Sequence, residues 1–261
     1  MGEIRGKLDG RVRAFLCIPY AAPPIGDLRW LPPQPPAGWS GVLDATKAGN
    51  QCAQARIRDQ GVAGSEDCLF LNIYAPDTPD KALPVMVWIH GGTFLVGSGS
   101  QYDGRELAER GHLILVTINY RLGPFGFLVN RSLDGADPGQ LSGNYGLLDQ
   151  QAALRWVKDN IEAFGGDPGK VTVAGESAGA ISIGLQLVSP GAVGSSSARS
   201  SRAGRSCICP RSPRPGRGVT NSRPSSGVLA RPRACDQSRP RKSWTRFPPA
   251  PSAWGHRSGF R

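Results

Sequence analysis

Short apolar runs recur along the chain, separated by stretches in which apolar residues return every three or four positions. Residues 85–89 (Val-Met-Val-Trp-Ile) and 113–118 are apolar almost throughout, the pattern of strands covered on both faces. Residues 11–19 and 69–74 read as two further strands, and 107–110 as the end of a short helix. The clearest helix is 144–164, where Leu147, Leu148, Gln151, Leu154, Trp156, Val157 and Ile161 recur at helical spacing. Gly165-Gly166-Asp167-Pro168 stops it. A β-branched run from residue 171 and an apolar helix over 180–188 follow. Strands alternating with helices predict an α/β chain, a mostly parallel sheet with helices on both faces. Residues 23–36 hold too much proline for a helix or a central strand. They are expected to lie as an extended, packed loop carrying Arg29-Trp30.

The junction at 175–179 reads G-x-S-x-G, with a strand before it and a helix after it. Gly175 and Gly179 stand two residues on either side of Ser177. That spacing serves a nucleophile elbow, a tight strand-to-helix turn in which side chains at the glycine positions would clash. The helix behind the serine offers free N–H groups and the positive end of its dipole. A surface Gly-Ser turn is the plain alternative, and the strand and helix on either side weigh against it. His90-Gly91-Gly92-Thr93-Phe94 leaves the strand at 85–89 directly. Its glycines would let the backbone approach a reacting oxygen, though a simple strand-exit turn uses the same residues. No Lys-Ser/Thr pair follows it or Gly97-Ser98-Gly99, so neither is a phosphate loop.

Composition changes the picture in one place. The 261 residues carry a formal net charge of +11, which by itself suggests a nucleic-acid partner. Residues 1–195 hold 16 Lys+Arg against 19 Asp+Glu, a net of −3, and residues 196–261 hold 15 against one, Asp236, a net of +14. The first part is therefore an ordinary, slightly acidic globular sequence, and no specific nucleic-acid partner is expected. No apolar run reaches the roughly 18–20 residues that span a bilayer. The first ten residues lack an apolar signal core, so the chain as written reads as cytoplasmic. Cys17, Cys52, Cys68, Cys207, Cys209 and Cys235 show no zinc-site spacing, and neither metal nor cofactor is called for.

Six ordered stretches between about residue 10 and residue 190 carry a family resemblance: FLCIPYAAPPIGDLRW, SEDCLFLNIYAP, WIHGGTFLVGS, NYRLGPFGFL, GNYGLLDQQAALRWVKDNIEAFGGDP and VTVAGESAGAISI. Together they resemble the type-B carboxylesterases and cholinesterases of the α/β-hydrolase fold. The resemblance implies that Ser177 attacks a small-molecule ester and forms an acyl-enzyme that water releases. It implies an oxyanion hole from the backbone N–H groups of Gly91, Gly92 and Ala178. It further implies a Cys52–Cys68 disulfide, although two free thiols remain the other reading without a secretion signal. Salt bridges Arg29–Glu66 and Arg121–Asp167 are implied as structural pairs. Glu176 either faces the substrate or helps to place the elbow. Cys17 departs from the family, which usually has glycine there.

Esterases of this fold order their triad Ser, then Asp/Glu, then His. His90 and His112 precede Ser177 and are poor bases on that order. Beyond Ser177 the sequence offers Asp236 and His256, inside a stretch of 66 residues that holds 14 Arg, 13 Ser, 9 Pro and 6 Gly but 6 of Leu, Ile, Val and Phe. Such a segment cannot bury enough apolar surface to offset chain entropy. Residues 1–194 are thus expected to be the N-terminal portion of a hydrolase domain, and 195–261 a disordered basic tail. Read one base out of frame, permitted codons for residues 194–204 give LFERAIVESG and those for 233–246 give CLRPEPAAEVLDA, both similar to family segments. The tail is accordingly expected to be an out-of-frame translation of a GC-rich gene. Three functions rank in order: an ester hydrolase by descent, inactive as written; a non-catalytic cholinesterase-like scaffold; and a nucleic-acid binder acting through the tail.

Overall fold

The computed structural model describes residues 2–56, 61–134, 142–192 and, for the backbone, 198–202. Its main sheet contains β1 (Lys7–Asp9), β2 (Val12–Pro19), β3 (Phe70–Pro76), β4 (Leu83–Ile89), β5 (Ile114–Ile118), β6 (Gly166–Glu176) and β7 (Ala198–Arg202). Their spatial order is β7-β6-β4-β5-β3-β2-β1. The pairs β7/β6, β6/β4 and β4/β5 are parallel, with Val87 opposite both Val173 and Val116. The pairs β5/β3, β3/β2 and β2/β1 are antiparallel. The sheet is therefore mixed, parallel where helices cross over and antiparallel at the N-terminal end.

Three helices frame the parallel half: α1 (Arg105–Gly111) between β4 and β5, α3 (Tyr145–Asn160) between β5 and β6, and α4 (Ala178–Val188) after β6. A shorter helix, α2 (Gly123–Phe127), follows β5. The strand pleat divides the apolar residues between two cores. Val85, Val87, Ile89, Ile114, Val116 and Ile118 pack with Leu154, Val157 and Ile183 of α3 and α4. Met86, Trp88 and Leu115 face the other way, towards Ala108 of α1. Met86 and Trp88 are half-buried, so β4 is less completely covered on this side than its apolar run suggests.

The expected elements are present with shifted ends. β4 starts at Leu83, two residues before the apolar run at 85–89, and the Leu83 N–H donates to Gly165 O. The helix expected over 144–164 divides into α3 and a 3-10 turn, Ile161–Phe164, which Gly165 ends at φ 96°. α4 begins at Ala178, two residues early. The segment expected to be disordered contributes the backbone of β7. The edge of β6 away from β4 offers N–H and C=O groups that any extended chain can meet, whatever its side chains, and β7 occupies it. The remaining tail residues, with Asp236, His256 and three of the cysteines, lie outside the described residues.

One expected ion pair is corrected. Arg121 does not pair with Asp167. Its Nε and Nη2 donate to the Asp149 carboxylate at 2.8 and 2.7 Å, and its backbone N–H adds a third bond at 3.0 Å. Both side chains are almost completely buried. Asp149 sits on the first turns of α3, facing the chain that leaves β5. Asp167 lies at the start of β6, where it accepts from Lys170 Nζ and from the Gly169 N–H. Burial raises the Asp149 carboxyl against the pull of the Arg121 guanidinium. Arg29 and Glu66 do form a two-pronged pair, 2.5 and 2.6 Å.

Candidate active site

Ser177 lies between β6 and α4 at φ 54° and ψ −118°, a conformation that L-residues avoid. Close packing forces this turn. A Cβ on Gly179 would lie 2.1 Å from Ile89 O, and one on Gly175 2.8 Å from the Gly179 carbonyl carbon. The first contact draws α4 against the end of β4; the second closes the elbow on itself. The Ser177 carbonyl accepts from the Ile181 N–H at 3.0 Å, the first α4 bond behind the serine. Ser177 itself is partly exposed.

The backbone leaving β4 runs beside this serine. A Cβ on Gly91 would come within 3.1 Å of Ser177 Cβ and 2.8 Å of Glu176 O. At Gly92 (φ 109°) it would strike Val96 O at 2.0 Å, so both glycines are sterically required. Among the described residues, no acceptor takes the N–H of Gly91, Gly92 or Ala178. Gly91 thus packs beside Ser177, with Gly92 next to it in the chain and Ala178 directly after the serine. A cavity of about 570 Å³ adjoins them, bordered by Gly91, Gly92, Tyr102 and Glu176. Glu176 is exposed and meets Gly91 as well as the cavity, so its position suits both roles expected of it.

Behind the glycine turn lies a rigid support that the sequence did not reveal. The His90 ring is buried, stacks on Tyr120 at 4.4 Å and has Nδ1 2.8 Å from Gly91 O. Burial lowers its pKa to about 4, so the ring is neutral. Tyr120 donates to His90 O at 2.8 Å. Gln54 Nε2 donates to Cys52 O at 2.9 Å and Gly97 O at 3.0 Å, while its Oε1 accepts from Gly97 N at 2.8 Å. Cys52 and Cys68 are joined as a disulfide, so Gln54 ties the cross-linked loop to the glycine turn. His112 lies elsewhere, an exposed left-handed cap of α1 hydrogen-bonded to Asp80. Among the described residues no group of His, Cys, Asp and Glu could hold a metal, and no helix is long and apolar enough to cross a membrane.

Known proteins are similar to this chain in sequence and in fold. The chain is 52% identical over 200 residues to a para-nitrobenzyl esterase of Bacillus subtilis, covering 74% of this chain and 40% of that protein. It is 51% identical over 195 residues to a fumonisin B1 esterase of Sphingopyxis macrogoltabida, covering 72% and 36%. A solved thermophilic pNB esterase superposes with a TM-score of 0.70 at 49% identity, covering 76% of this chain and 42% of that one. A carboxylesterase of Geobacillus stearothermophilus gives 0.69 at 48%, covering 77% and 41%. The chain thus spans about two fifths of the length of these relatives. It has the α/β-hydrolase fold, and residues 1–237 match the profile of the Carboxylesterase family. A strained serine between strand and helix, a bare glycine turn beside it, and this identity over some 200 residues lead to one assignment: the chain belongs to the carboxylesterase family.

Proposed function

We propose that this chain carries the nucleophile and oxyanion hole of a serine esterase acting on small-molecule carboxylic esters. Ser177 Oγ would bond to the ester carbonyl carbon as the alcohol leaves, and water would then release the acid from the acyl-enzyme. The N–H groups of Gly91, Gly92 and Ala178 would hold the negative oxygen of each tetrahedral intermediate. Such fixed dipoles need no reorganisation, and losing one typically costs ~100–1,000-fold in rate. The observation that carries this reading is the open, glycine-lined backbone packed against Ser177.

The same reading makes the 261-residue chain inactive. Described residues beyond Ser177 include no Asp, Glu or His. Asp236 and His256 satisfy the triad order but lie outside the described residues, in an Arg/Ser/Pro-rich stretch with few apolar residues to build a core around a base. The 261-residue chain should hydrolyse p-nitrophenyl acetate no faster than its Ser177→Ala variant. A version with the reading frame restored after codon 194 should hydrolyse it in a Ser177-dependent way. Brisk Ser177-dependent turnover by the unaltered chain would contradict the missing triad. None from the restored protein would favour the non-catalytic scaffold.

A further inference from the structure

A second cavity, of about 300 Å³, lies over β1, β2 and β3 on the face of the sheet that α1 covers. It is distinct from the cavity beside Ser177, although one loop serves both: Tyr102 borders that cavity, and Ser100 and Asp103 border this one. Ala14 and Leu16 give it an apolar floor. Arg105 occupies its two acids. Nε donates to the Asp103 oxygens at 2.9 and 3.0 Å, Nη2 to Asp103 Oδ2 at 2.5 Å, and Nη1 to Asp9 Oδ2 at 2.6 Å. Two donors are left over. Tyr74 is 8% exposed, yet among the described residues its hydroxyl makes no hydrogen bond. Unlike the sealed indole N–H groups of Trp88 and Trp156, that hydroxyl still meets open space, and the open space that Tyr74 lines is this cavity. Its ring is held beneath Gly104, where an added Cβ would lie 2.4 Å from Cδ2. Burial, helped by the Asp103 carboxylate, raises the phenol's pKa, so it keeps its proton and donates. The second donor is the Lys7 ammonium, which makes no ion pair among the described residues, although its charge reaches Asp103.

We propose that this cavity is a binding site for a small aliphatic carboxylate, its oxygens taken by the Tyr74 hydroxyl and the Lys7 ammonium and its alkyl group resting on Ala14 and Leu16. The distribution of partners selects this class. The acids already hold a guanidinium, so a cationic ligand gains little there. The open groups are donors, which call for an acceptor. Hydrogen bonds to an ionised acceptor are roughly twice as strong as neutral ones, which favours a carboxylate over an amide of the same shape. The buried hydroxyl separates this site from an exposed lysine alone, because a phenol held away from bulk water gains a bond that it otherwise lacks. Acids of this class are what ester hydrolysis releases. That link rests on the proposed function, whereas the binding makes no use of Ser177.

The test titrates the full 261-residue chain with butyrate, followed by saturation-transfer NMR, with butyramide and butylamine as the neutral and cationic controls. Butyrate should bind saturably and at least tenfold more tightly than either control. Tyr74→Phe, which keeps the packed ring and removes the hydroxyl alone, should weaken binding at least fivefold, and so should Lys7→Gln at its exposed position. An unchanged urea midpoint shows that Tyr74→Phe is folded; if the midpoint falls, Lys7→Gln decides. No saturable binding of butyrate would overturn the proposal. Butyramide or butylamine bound as tightly as butyrate would overturn the ligand class. Binding that both variants leave unchanged would place the ion elsewhere, such as beside Ser177, and would also overturn it. The esterase reading survives each of these failures, because none of them measures turnover.

Discussion

Cys17 and Ser177 are among the residues held in backbone conformations that their side chains oppose, and His90 holds a buried ring that resists protonation. Cys17 sits at φ 60°, where the β2/β3 register slips between Phe15 and Ile18. A left-handed bulge residue is ordinarily glycine, which gives a physical reason for the glycine that the family resemblance leads one to expect at position 17. Cys17→Gly should raise stability by about 1 kcal/mol, read as a higher urea midpoint. Ser177→Gly should do the same for the same reason, and an unchanged midpoint in both would contradict the strain. His90 sets a pH dependence. The unfolded chain binds a proton near the ordinary pKa of 6.5, whereas the folded ring resists until about 4. Stability is therefore full above pH 6.5 and falls as pH drops towards 4, by about 3 kcal/mol from this residue. Urea titrations at stepped pH should show that loss, and His90→Gln should flatten it.

Among the elements, β4, β5, β6, α3 and α4 were legible from continuous apolar runs and helical spacing, whereas β7 was not, because its Arg/Ser sequence carries no apolar pattern. The elbow was legible because Gly175 and Gly179 have a steric reason to be there. The partner of Arg121 was not. Its expected acid, Asp167, is near a helix end, but the buried one is on α3, among three consecutive polar residues, Asp149, Gln150 and Gln151. Three polar residues in a row must turn at least one toward the core of an amphipathic helix, and that was the available signal. The Gln54 clamp left no trace in the sequence, since it depends on two loops meeting in space. Asp149→Ala should cost about 3–5 kcal/mol, because it strands a buried guanidinium. Asp167→Ala should cost under about 1 kcal/mol, because its lysine partner is largely exposed. Equal costs in chemical denaturation would contradict this assignment.

For the whole molecule, the apolar residues Ile181, Leu185, Leu187 and Val188 leave an exposed apolar surface on α4. That surface and the edge of the parallel sheet should make the 261-residue chain poorly soluble. Protein recovered alone should bind the dye ANS strongly, and Leu185→Glu should lower binding and raise yield. A sharp, cooperative melt of an unmodified monomer with little dye binding would contradict that view. Resequencing the DNA through codons 185–205 checks the frame, where an added or missing base is expected. If residue 177 is a nucleophile poised for acyl chemistry, fluorophosphonate labelling of the frame-restored protein, followed by peptide mass spectrometry, will find it. A single adduct on Ser177, lost in Ser177→Ala, is the predicted result. No adduct, or one on a different residue, would contradict the account.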